Sequence, residues 1–185
     1  MKETVIRALN SAESASGVKT HECAELPVSR LVFSQELLDL CATNKCGNYN
    51  RSWTCPPAAG ILEDQRRKIQ SYENAFVFTT KHDLEDSFDF EGMEAGRENH
   101  ICLTLEFRQL LGEGFSFYGA GSCPICKDAN GISNCAFPRP CLHPEKKIGS
   151  IEAAGINVTE LSKAAGLKYN NGPNTVTYFS MVLWE

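Results

Sequence analysis

The chain has 185 residues, 42% hydrophobic and 22% charged, the balance of a single soluble globular unit with its own core. A net charge of −5 provides no basic stripe for phosphates, so nucleic acid is not an expected partner. No apolar run approaches the ~18 residues of a membrane-spanning helix, so no membrane is expected either.

Residues 1–20, dominated by Ser, Ala, Glu and Gly, read as a weakly ordered lead-in, with 21–185 as one cysteine-rich metal-binding domain. The lead-in lacks the apolar stretch of a secretory signal, which places the chain in the cytoplasm, where thiols stay reduced. Residues 28–33 have the β-branched and aromatic content of a strand. Ser34 can cap a helix over 35–43, with Leu37, Leu40 and Cys41 on one face. A second helix follows Gly60, to about residue 72. Residues 75–80 read as a buried strand and 81–89 as a loop. A long helix over 91–111 carries Leu103, Phe107, Leu110 and Leu111 at helical spacing, and Gly112 and Gly114 end it. Residues 115–120 form another strand. Asn157 and Glu160 make a capping pair for a helix closing at Gly166. The strand over 175–184 is apolar on both faces, which puts it in the middle of a sheet. The expected architecture is α/β or α+β, about four strands with packed helices and two cysteine-rich loops.

Those loops carry the chemistry. Seven of the nine cysteines fall in two groups: Cys41, Cys46 and Cys55, spaced C-x4-C-x8-C, and Cys123, Cys126, Cys135 and Cys141, spaced C-x2-C-x8-C-x5-C. Neither stretch has helical or strand periodicity, and the irregular run over 121–149 is too long for a compact domain unless something orders it. Thiolate–metal bonds are that something. Nine is odd and the chain is not a short secreted scaffold, which argues against a disulfide framework.

Structural zinc sites pair two short knuckles, and only Cys123-Pro124-Ile125-Cys126 has that form. Wider spacing, proline directly after Cys55 and Cys123, and nearby Gly119, Gly121 and Gly131 suit an iron–sulfur cluster, expected as [4Fe-4S], with zinc as the alternative. Four ligands complete one such site. Three leave an iron open, or take a fourth ligand from Cys23, His21 or His143. One mixed site drawing on both loops is a further topology. Cys102 reads as core packing and Cys23, taken alone, as a mobile thiol.

Cys41 and Cys46, then Trp53-Thr54-Cys55-Pro56-Pro57-Ala58-Ala59-Gly60, Gly121-Ser122-Cys123-Pro124-Ile125-Cys126, Cys141-Leu142-His143-Pro144-Glu145-Lys146 and Ser150-Ile151-Glu152-Ala153-Ala154-Gly155-Ile156-Asn157-Val158 together resemble an uncharacterised prokaryotic family of small cysteine-rich predicted metal-binding proteins. The resemblance spans about residues 28–184. It implies metal binding, as iron–sulfur, in anaerobic metabolism, and it implies no reaction. Family members carry a further cysteine near Ala129, for which Cys135 is the nearest substitute here. The resulting expectation is an iron–sulfur protein for electron transfer, or an accessory to a redox enzyme with a redox partner protein. An enzyme with an open-coordination [4Fe-4S] cluster and a zinc-stabilised interaction module are the alternatives.

Overall fold

A computed structural model describes residues 1–127 and 134–185. One five-stranded sheet organises it, in the order β1-β2-β5-β3-β4. Its strands are β1 (Cys23–Pro27), β2 (Asn74–Asp83), β3 (Ser116–Gly119), β4 (Gly149–Ser150) and β5 (Thr175–Trp184). β5 lies in the centre, as its two apolar faces require, antiparallel to β2 along all ten residues and to β3 on its other side. β3 and β4 pair in parallel.

Alternation along the strands divides the core into two. Ala75, Val77, Met181 and Leu183 point to one face, packed with Ile69 of α3 (Leu62–Gln70) and Leu161 of α5 (Val158–Ala165). Phe76, Phe78, Val182 and Trp184 point to the other, packed with Leu103 and Phe107 of α4 (Phe90–Leu111). The result is a mixed α/β fold with helices on both faces of the sheet. Asp89 caps α4 by accepting from the Gly92 N–H. Asn157 caps α5 through Thr159 and Glu160, and left-handed Gly166 closes it, as the sequence indicates. Among the described residues no helix is long and apolar enough to cross a membrane.

Five expectations are corrected. The lead-in holds a 15-residue helix, α1 (Lys2–Ser16), whose Val5, Leu9 and Ala12 are buried against α4. Its polar composition hides a narrow apolar stripe at i, i+4 and i+7. The first strand is Cys23–Pro27 rather than 28–33. Pro27 lacks the amide that would continue the ladder, and the chain turns into a 3₁₀ helix over Val28–Arg30. Phe33 retains one isolated bridge, to Ile156. Strand β2 runs on through Lys81–Asp83, charged residues that β5 keeps paired. Cys102 is exposed on α4 instead of buried in the core. Cys23, by contrast, is held in the β1 ladder opposite Phe78.

One buried polar chain crosses the second core. His100 is 3% exposed, with Nδ1 2.9 Å from Thr80 Oγ1 and Nε2 2.8 Å from Ser180 Oγ. His82 Nε2 meets the same Thr80 hydroxyl at 2.9 Å, and Thr104 donates to the His100 carbonyl. Burial, and secondarily the neighbouring His82, push the His100 imidazole down to about 3.

Candidate metal centre

The two cysteine groups surround two separate cavities at the same end of the sheet. Helix α2 (Gln35–Ala42) delivers Cys41 in its last turn, and the loop beyond brings Cys46 and Cys55 around it. The cavity among these thiols holds about 400 Å³. Leu37, Leu40, Tyr49, Pro56 and Ala153 also line it. The helix face that carries Leu37, Leu40 and Cys41 is therefore the cavity wall. Leu38 is the α2 residue that enters the core, and Leu40 stays 58% exposed.

α2 is set in place by a tight contact. The Ser34 N–H donates to the Gly155 carbonyl at 2.7 Å. Gly155 has φ +77°, and a Cβ there would run into Leu62 Cδ1 and lie 3.2 Å from Leu38 Cδ1. Only glycine suits both conditions.

Cys123, Cys126, Cys135 and Cys141 line the second cavity with Trp53, Thr54 and His143, around a space of about 20 Å³. A partition separates the two sites. Ser52 and Thr54 are buried, with hydroxyls 3.1 Å apart, and Thr54 Oγ1 accepts from the Cys123 N–H at 3.1 Å. Trp53 donates from Nε1 to the Arg139 carbonyl at 2.9 Å and meets Phe137 edge-on. Cys55 thus faces one cavity while Trp53 and Thr54 face the other. On the far side, Arg108 of α4 clamps the Glu145 and Lys146 carbonyls, fixing the end of the cysteine loop.

The thiols act on one another electrostatically. Burial pushes the Cys55 thiol up to about 11, and nearby Cys46 and Cys41 add to the rise. The same causes raise Cys41: burial first, then Cys46 and Glu152. Burial also raises Cys126, as do Cys123, Cys135 and Cys141. Each set is therefore a place where one thiolate opposes the next, and a bound cation reverses that opposition. Cys41, Cys46, Cys55, Cys123, Cys126 and Cys141 are free thiols. Among the described residues, no group of three or more His, Cys, Asp or Glu is arranged to hold a metal ion.

Of the extra ligands considered from sequence, His143 sits with the four-cysteine set. His21 is engaged with Asn171 Oδ1 at 2.9 Å, and Cys23 lies on β1 near Glu13; neither lines the three-cysteine cavity. Glu152 does line it. Sequence reasoning missed Glu152, because only the turn after β4 brings it near Cys41. Ala129 and Gly131 lie outside the described residues.

A family model described as "Predicted metal-binding protein (DUF2284)" matches residues 24–184. No curated protein and no solved structure matches.

Proposed function

We propose, on the premise that this chain belongs to that family of predicted metal-binding proteins, that it holds iron–sulfur clusters and serves electron transfer or a redox enzyme. The observation that carries this reading is the partition of seven cysteines into sets of three and four, each around its own cavity. The donors are predominantly thiols, which select soft metals and iron–sulfur clusters over hard cations. A single zinc ion, with Zn–S near 2.3 Å, would draw its four sulfurs to within about 4 Å of one another. The three-cysteine cavity, about 400 Å³, is far larger than one ion needs. Cys41, Cys46 and Cys55 would hold a cluster there, leaving one iron for Glu152 or an outside ligand. Cys123, Cys126, Cys135 and Cys141 would hold the second group. Bound clusters supply one-electron chemistry, and a redox partner protein would exchange those electrons.

One observation favours a different occupant for the second site. Its space of about 20 Å³ is that of a single small ion, and its Cys123-Pro124-Ile125-Cys126 knuckle is a zinc-type element. The enzyme reading draws on the same contrast, since the roomy three-cysteine cavity can admit a substrate. Iron, zinc and acid-labile sulfide per chain, measured on anaerobically purified protein, separate these readings. Two cubanes give about eight irons and eight sulfides; one cubane with one zinc gives about four, four and one. Zinc alone, without sulfide, removes the redox function.

A further inference from the structure

Beside the three-cysteine cavity lies a second cleft, of about 340 Å³, that no metal reading uses. Its walls are Arg97 and Glu94 of α4, Lys127, Asn48 and residues 120–122. The two cavities share Asn48, Gly121 and Ser122, so they lie side by side as a two-part hollow. Each lies within the range of ligand pockets.

The lining is unequal in charge. Arg97 and Lys127 both line the cleft and lie close enough to interact electrostatically, and a single carboxylate, Glu94, lines it with them. Glu94 already pairs with Arg97 through two guanidinium nitrogens. Two cations against one carboxylate leave a net charge of about +1, with Cys123 and exposed Glu98 adding weaker negative fields from outside the lining. Arg97 has only 24% of its side chain exposed, so this charge is screened less than a surface pair. The other half of the hollow is walled mainly by apolar side chains, Leu37, Leu40 and Tyr49 among them, with Lys45 and Glu152 adding one charge of each sign.

We propose that this hollow binds a small carboxylic acid with an apolar body, the carboxylate on Arg97 and Lys127 and the body toward the cysteines. A singly charged carboxylate matches the net +1 of the lining better than a phosphate dianion, and Arg suits its planar two-oxygen geometry. Binding stands on the cleft alone; that the ligand then meets a metal rests on the reading above.

The probes are benzoate, acetate, benzyl alcohol and inorganic phosphate, titrated calorimetrically into the anaerobically purified full chain. Benzoate binds saturably, acetate and phosphate bind at least severalfold more weakly, and benzyl alcohol does not bind. Arg97→Gln and Lys127→Gln each weaken benzoate by roughly tenfold. Glu94→Gln tightens it, an opposite sign that misfolding cannot produce. Absence of saturable benzoate binding overturns the proposal. So does tighter binding of phosphate, equal binding of acetate, or indifference to both cation substitutions. Iron and sulfide measured on the same samples keep the two readings apart. Full cluster content without benzoate binding sinks only the cleft, and benzoate binding without iron sinks only the cluster.

Discussion

Cys55 is the residue on which the three-cysteine site turns. It is 7% exposed, and burial pushes its thiol up against the smaller opposing pull of the Thr54 and Ser52 hydroxyls. A buried thiol with so high a pKa stays protonated at neutral pH unless a cation stabilises the thiolate. Cys55→Ser should therefore lower iron by the content of one site, read by metal and sulfide analysis, while Cys102→Ala, on the exposed side of α4, leaves it unchanged. Unaltered iron in Cys55→Ser would mean the first set is not a ligand set. His100 supplies a separate residue-scale expectation, in acid. Its folded pKa, about 3, lies below the unfolded value near 6.5, so between these limits the unfolded chain binds the extra proton. The stabilisation is complete above pH 6.5 and falls by up to about 1.4 kcal/mol per pH unit below it. Half-buried His82, lowered chiefly by burial, acts in the same direction. Denaturant titrations from pH 7 to 4 should show this slope, and His100→Gln should flatten it.

At the scale of elements, two contacts matter most. α1 buries Val5, Leu9 and Ala12 against α4, and Leu9 is 3% exposed. Leu9→Ala should cost about 2–4 kcal/mol in a denaturant titration with metal content unchanged, because the helix lies across the sheet from α3 and α5. A neutral result would mean α1 docks without stabilising. Gly155 holds α2, and with it Cys41, against the turn after β4. Gly155→Ala meets both a positive φ and the Leu62 side chain, and should cost about 1–3 kcal/mol or more. Unlike Leu9→Ala, it should also lower iron content, since the displaced helix end carries a ligand. Thermal melts and iron assays on the two variants together separate scaffold from site.

For the whole molecule, the sheet is a frame that holds two irregular loops against each other. The loops have little apolar content of their own, and they are joined by two hydrogen bonds, Thr54 with Cys123 and Trp53 with Arg139, and by the edge-on packing of Trp53 against Phe137. Metal bonds would therefore carry much of the loops' folding free energy. Chelation under anaerobic conditions should open the loop between β3 and β4 to protease while the strands and α4 survive, read by mass spectrometry of the fragments. Equal resistance with and without chelator would argue against a metal in that loop.

Much of this was legible in the chain itself. The seven cysteines stand out because no core or turn explains their spacing. β5 is central because both its faces are apolar, and α4 and α5 follow from periodicity and caps that act within a few residues. The misses have one cause in common. Whether Cys102 is buried or exposed, whether Lys81–Asp83 stay in a strand, and whether α1 docks at all depend on partners distant in sequence. The partition into two cavities, Glu152 beside Cys41, and Arg97 across from Lys127 belong to the same class. Sequence determined which residues could do chemistry, because side-chain type and local spacing are properties of the chain. Tertiary structure alone decided which of them meet, because proximity across the sheet is set by packing that no local pattern encodes.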